Sequence, residues 1–105
     1  MQIQDVAGFE WDDGNEAKCQ KHDVALSDLE SAFYRTLHIF PDPAHSQSEK
    51  RYIALGKTNG GRNIFVCFTL RQREGKTYIR PISARYMHRK EIEHYEKEIA
   101  NSDNR

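Results

Sequence analysis

Residues 51–85 read RYIALGKTNGGRNIFVCFTLRQREGKTYIRPISAR, three runs of alternating apolar residues separated by two glycine turns. Residues 51–57 predict a strand. Asn59-Gly60-Gly61 is a strong hairpin signal, because Asn and Gly tolerate the left-handed backbone that tight turns require. Residues 62–73 predict the longest strand, with Ile64, Val66, Phe68 and Leu70 on one face. Glu74-Gly75-Lys76 turns the chain again, and residues 77–84 predict the last strand. These three strands make an antiparallel meander. Pro81 has no N–H to give to a ladder, so it predicts an edge position or a bulge.

Upstream, residues 6–11 (VAGFEW) are apolar enough for a short first strand. Asp12 or Asp13 can cap a helix over residues 15–22. Ser27-Asp28-Leu29-Glu30 matches a capping box, so a second helix is expected to start at Ser27, with Leu29, Ala32, Phe33 and Leu37 at helical spacing. Phe40-Pro41-Asp42-Pro43 breaks that pattern, and residues 41–48 read as a loop. Downstream, a third helix is expected over residues 88–100, with Ile92, Tyr95 and Ile99 as its buried stripe and residues 101–105 as a frayed polar tail. The order is β-α-α-β-β-β-α. It predicts an α+β fold with helices packed on one face of a small antiparallel sheet, forming one domain over residues 1–105.

The chain has 105 residues, of which 37% are hydrophobic and 30% charged. That is enough for one core and leaves little for a deep cavity, which weighs against a large organic cofactor. Cys19 and Cys67 lie far apart, and no Cys/His cluster has zinc spacing. Free thiols and a reducing compartment are expected, with Cys67 filling the core. Residues 1–5 lack the pattern of a signal peptide, and no apolar run approaches the roughly 18 residues of a membrane span. A cytoplasmic protein is expected.

Charge is unevenly distributed. Residues 51–90 hold ten Lys or Arg and one acid, Glu74, while the whole chain has a formal net charge of zero. A basic surface built on strands fits a phosphate backbone. The same strands can instead salt-bridge the acidic flanks.

Three groups of residues can carry chemistry. His45, Glu49 and Arg51 lie where loop becomes strand. His can move a proton near neutral pH, and Arg can clamp a phosphate bidentately. The plain alternative is an exposed His beside an ordinary Glu–Arg pair. In the last strand, Arg80 and Ile82 are expected on one face, opposite Ile79 and Pro81. Arg85 falls at the strand exit beside Tyr86, a cation next to an aromatic platform that suits a nucleotide; it can equally pair with Glu91 or Glu93. Lys21-His22 closes the first helix, where the helix dipole alone favours cations. His88 and His94 are six residues apart, which is not metal spacing. No P-loop, GxGxxG or GxSxG motif is present.

Together the residues resemble a known family. Phe9-Glu10-Trp11-Asp12, Lys21-His22, and Asp42-Pro43-x-His45-Ser46-x-x-Glu49-x-Arg51-Tyr52-Ile53-Ala54-Leu55-Gly56 are similar to the BrnT toxins. So are Gly61-Arg62-x-Ile64-Phe65-Val66-x-Phe68-Thr69 and Ile79-Arg80-x-Ile82-Ser83-Ala84-Arg85, and the likeness spans about residues 8–98. Asp23 stands where that family usually has Gly. A left-handed helix end is expected there, at a cost on the order of 1 kcal/mol. Pro81 stands where a β-branched residue is usual and is expected to distort the strand carrying Arg80 and Arg85.

The resemblance implies a RelE-like ribonuclease fold and a type II toxin that cleaves RNA, slows translation and needs no metal or cofactor. It implies a BrnA-type antitoxin with a ribbon-helix-helix region, so that DNA is met only through that partner. By chemistry and position, His45, Arg51 and Arg85 are the candidate catalytic residues, and Lys21, His22, Arg62, Arg80 and Tyr86 the candidate substrate contacts. The alternative function is a module that binds RNA or antitoxin without cleaving.

Overall fold

The two longest strands, β4 (Asn63–Arg73) and β5 (Lys76–Tyr86), form a hairpin closed by Glu74-Gly75. Both turn residues have positive φ, 52° and 76°, as a two-residue turn matched to strand twist requires. The computed structural model describes residues 6–35 and 37–103. Residues 1–5, read above for a signal peptide, lie outside the described residues, and so do Asn104 and Arg105 of the expected tail. The rest of that tail, as far as Asp103, is helical.

Around the hairpin the elements run β1 (Val6–Phe9), α1 (Asp13–Gln20), α2 (Leu26–Ala32), β2 (Leu37–Pro41), β3 (Tyr52–Lys57), β4, β5 and α3 (Arg89–Asp103). The five strands lie in the order β1-β5-β4-β3-β2. β1 runs parallel to β5, and the other pairs are antiparallel. The fold is α+β as expected, but its sheet is mixed and has one strand more than the sequence pattern predicts.

That extra strand is β2. The sequence pattern places Leu37 in the second helix and Pro41 in a loop, yet both pair with β3, at Gly56 and Tyr52. Pro41 is tolerated because β2 is an edge strand, where a missing N–H breaks no inner ladder. α2 also starts earlier than Ser27. Ala25 is its N-cap, and no side chain caps it. Ser27 therefore lies inside the helix and cannot form a capping box with Glu30, whose carboxylate instead accepts the Trp11 indole N–H at 2.7 Å.

The core lies between α1–α2 and one sheet face. Cys19, Val24, Leu29, Ala32 and Phe33 pack on Ala54, Ile64, Val66, Phe68, Ile79 and Ala84. Phe33 meets Phe68 edge-on at 5.4 Å, and Tyr52 stacks on Phe68 at 5.4 Å. Cys19 is fully buried, and burial pushes its thiol up to about 11. Cys67 has the opposite parity to Val66 and Phe68, so it lies on the other sheet face, only half-buried, rather than in the core. Both thiols are free.

α3 does not join the other helices. Its Tyr95 packs near Phe65, at 6.4 Å between rings, and its Glu91 binds Arg85. Phe65 and Arg85 are register partners on the face away from the core. Helices therefore cover parts of both faces, not one. Asp23 takes the left-handed backbone expected of it, with φ 62°.

Pro81 is where the hairpin departs from regularity. β1 pairs with β5 only over Thr77–Ile79, so at Pro81 that side of β5 has no strand partner, and a bulge lies there as well; the edge and bulge alternatives both hold. The register runs Cys67↔Ser83 and then Phe68↔Pro81, leaving Ile82 as the extra residue. The Pro81 carbonyl is satisfied by the Asn15 amide at 2.8 Å.

Candidate functional site

The bulge decides which arginines share a face. Arg80 and Arg85 are five residues apart, and in a regular strand they would point to opposite sides. Arg80 pairs with Thr69 and Arg85 with Phe65, two β4 positions of the same parity. The extra residue thus puts both arginines on the non-core face. Arg71 and Arg73 follow on β4 with that same parity. Arg51 enters β3 one residue before Tyr52, which pairs with Phe68, so it stands beside Thr69. The Thr69 hydroxyl fixes this entry by donating to the Lys50 carbonyl at 2.7 Å.

Three carboxylates reach into this arginine cluster. Glu10 follows β1, and its backbone N–H donates to the Ile79 carbonyl at 2.8 Å. Its carboxylate lies 2.6 Å from Arg73 Nε, 3.1 Å from Arg80 Nη1 and 3.9 Å from Arg71 Nε. Asp12 lies 2.9 Å from Arg80. Glu49 binds Arg71 and stands 3.9 Å from Arg51. Four guanidinium groups against three carboxylates leave a local excess of one positive charge. The basic strands do salt-bridge their own acidic flanks, and the cluster is far from a bare positive field. The Arg80 hydrogen bond holds the Asp12 carboxyl below the usual carboxylate range, and the same bond raises Arg80. Arg51 is the least engaged of the four. Its Nε is buried with no hydrogen-bond partner among the described residues.

His45 sits in the β2–β3 connection, in a single 3-10 turn, Pro43–His45. Its Nδ1 lies 3.0 and 3.2 Å from the two Asp42 carboxylate oxygens. The Asp42 side chain is 11% exposed and that of His45 is 68% exposed. An ionised Asp42 accepts from Nδ1–H, which assigns the tautomer and leaves the Nε2 lone pair facing outward. The connection is tied to Arg51: the Ser46 hydroxyl donates to the Asp42 carbonyl at 2.6 Å and accepts from the Arg51 N–H at 2.9 Å. Asp42 N–H also donates to the Arg51 carbonyl at 2.9 Å.

The structure therefore gathers Arg51 and Arg80 at one end of the sheet, with His45 in the loop that leads into Arg51. Arg85 stands apart. Phe65 and Thr69 are four residues apart, which separates Arg85 from the Arg51–Arg80 row by about 13 Å along the strands. Arg85 lies over the Phe65 ring and donates twice to Glu91, at 2.6 and 2.7 Å. That pairing raises Arg85 and lowers Glu91.

Tyr86, adjacent in sequence, points to the core side. Its hydroxyl donates to Asp28 at 2.8 Å, and Arg62 covers its ring at 3.4 Å. Burial first, then the Asp28 bond, pushes the Tyr86 hydroxyl up. Arg85 and Tyr86 thus share no surface, and the aromatic platform is occupied by Arg62. Lys21 and His22 are exposed in the α1–α2 connection, on the helical layer. Among the described residues no three His, Cys, Asp or Glu side chains converge to hold a metal ion, and no helix is long and apolar enough to cross a membrane.

Sequence reasoning missed Asp42, Glu10, Arg71 and Arg73. The two arginines were visible as the polar parity of a strand whose other parity is Ile64, Val66, Phe68 and Leu70. The Asp42–His45 spacing of three across a proline was visible as well. Glu10 carried no local signal, because its three partners lie more than 60 positions away.

No curated protein compared with the chain matches it. The family model of the ribonuclease toxin BrnT, of type II toxin–antitoxin systems, matches residues 11–91. That match covers α1 through the start of α3 and every arginine described above, and the chain belongs to the BrnT family of type II toxin–antitoxin ribonuclease toxins.

Proposed function

We propose that this protein is a metal-independent endoribonuclease with a RelE-like arrangement of sheet and helices. It cleaves RNA in the cytoplasm, slows translation and is neutralised by a BrnA-like ribbon-helix-helix antitoxin. A type II toxin implies an RNA target and an antitoxin; the remaining steps are read from residues. RNA brings its own nucleophile, the 2′-OH. The protein must remove that proton, stabilise the added charge on phosphorus and protonate the leaving 5′ oxygen.

The observation that carries the reading is the Asp42–His45 pair tied by Ser46 to Arg51. Asp42 orients the imidazole by accepting from Nδ1–H, as the carboxylate does in hydrolase triads. His45 then takes or gives the proton through Nε2. Arg51, whose side chain is 34% exposed and whose Nη2 stands 3.9 Å from Glu49, offers its outer guanidinium edge to the phosphate, and Arg80 extends the cation row across Thr69. Arg85, in this reading, holds RNA backbone farther along the face. Arg62, Tyr86, Lys21 and His22 lie on the helical side and are assigned no contact with the scissile phosphate.

The test is incubation of the purified protein with RNA in EDTA. Products with 2′,3′-cyclic phosphate ends are expected. His45→Ala is expected to slow cleavage by about 10²–10⁴-fold while Tm hardly moves. RNA left intact by the wild type, yet bound, would point to the non-catalytic binding module. Unchanged cleavage by a folded His45→Ala protein would remove His45 from the mechanism.

A further inference from the structure

Three guanidinium groups converge on one carboxylate. Arg71, Arg73 and Arg80 come from two neighbouring strands, and all reach Glu10, whose side chain is 14% exposed. Arg71 has Glu49 as a second partner and Arg80 has Asp12. Arg73 has Glu10 alone among the described residues, and its side chain is 65% exposed. Bringing like charges together is unfavourable unless an anion sits between them. A carboxylate and a phosphodiester carry the same single charge and present two oxygens to the planar guanidinium fork.

We propose that Arg71, Arg73 and Arg80 form a phosphate subsite of the RNA track, and that the Glu10 carboxylate is its resting occupant. This rests on the RNA reading above. On binding, a backbone phosphate exchanges with Glu10. The exchange is neutral in charge. It needs only side-chain rotation, because the Glu10 backbone stays fixed by its N–H to Ile79 and by the Asn15 amide donating to its carbonyl at 2.9 Å. The built-in anion also screens the cluster from other polyanions, so only an RNA held elsewhere on the face competes well with it. Glu10 is a positioning residue here and touches no reacting atom.

The experiment is a salt series with a single-stranded 2′-deoxy oligonucleotide, which binds but lacks the attacking hydroxyl. Glu10→Gln keeps the side-chain shape and removes the charge. It is expected to bind about fivefold tighter, as one partly exposed ion pair ceases to compete. Its plot of log affinity against log salt should steepen by about 0.7, because no displaced carboxylate is left to take up a cation and offset one phosphate contact. Arg73→Gln alters only an exposed side chain and keeps the proposal testable if Glu10→Gln fails to fold. It should flatten the slope by a similar amount.

A folded Glu10→Gln protein with unchanged or weaker affinity, or Arg73→Gln with an unaltered slope, overturns the inference. Pyrophosphate titrated by calorimetry separates the two levels. If Glu10→Gln binds pyrophosphate more tightly than the wild type but neither protein binds or cleaves nucleic acid, the anion subsite stands and the RNA reading falls. If RNA is cleaved normally and neither variant shifts the oligonucleotide slope, the subsite falls and the RNA reading stands.

Discussion

Asp42 and Asn15 are two buried polar residues with different work. Asp42 directs His45, so its loss is expected to harm chemistry more than folding. Asp42→Asn keeps the shape but no longer favours the Nδ1–H tautomer. Cleavage should fall by about 10²–10⁴-fold with little change in Tm. Single-turnover cleavage across pH checks this, and a fully active Asp42→Asn protein would sink the dyad. Asn15 is 4% exposed and makes the opposite case. Its amide donates to the Glu10 and Pro81 carbonyls, and its oxygen accepts the Asp12 N–H at 2.7 Å. One side chain thereby closes the α1 capping box, holds the bulge and fixes Glu10. Asn15→Ala leaves those groups without partners and is expected to cost about 2–3 kcal/mol, a fall of roughly 10 °C or more in Tm. Thermal unfolding measures it directly; a loss below about 0.5 kcal/mol would mean that water replaces the amide.

At the scale of elements, β5 and α3 explain what the sequence could and could not show. The β4–β5 hairpin was legible because alternation and Glu74-Gly75 are local signals. β2 was not, because Leu37-His38-Ile39-Phe40 continues the apolar content of α2, and its pairing with β3 is a contact across the loop. The bulge at Pro81 was legible as a possibility, but not its effect. Only the register shows that it returns Arg85 to the face of Arg80. The side of the sheet taken by α3 was also illegible, since its apolar stripe fits either face. Part of what holds α3 is the Arg85–Glu91 pair, and that has a pH signature. Glu91 is lowered below its ordinary value of 4.5, chiefly by the Arg85 hydrogen bonds. Its contribution is therefore complete above the unfolded value and is lost as pH falls through the lower folded value. Loosening of α3 is expected only below about pH 4.5. Hydrogen exchange of α3 amides from pH 6 to pH 3 should show a step that is missing in Glu91→Gln. A step of equal size in that variant would assign it to another carboxylate.

The whole molecule has zero formal net charge, with its cations concentrated in residues 51–90. Folding brings part of the acidic N-terminal segment onto that block through Glu10, Asp12 and Glu49. The field at the His45 end is weaker than composition implies, yet it keeps a positive excess, and Arg73 is largely exposed. An antitoxin that silences the toxin by covering this face must compete with RNA there. Complementary acidic side chains would act mainly on its association rate. Screening over roughly 8 Å at physiological ionic strength would then slow association. Raising salt from about 0.05 to 0.3 M is expected to lower the on-rate by about tenfold, with a smaller change in the off-rate, because an apolar interface core holds the formed complex. Arg73→Glu is the sharper probe. Its side chain is exposed, and the reversed charge would sit beside Glu10, converting an attractive spot into a repulsive one without touching the core. Stopped-flow association of toxin and antitoxin across the salt series should show a slower and less salt-sensitive on-rate for this variant. An on-rate that ignores salt in the wild type, or one that Arg73→Glu leaves unaltered, would place the antitoxin on another surface, and the arginine face would then answer to RNA alone.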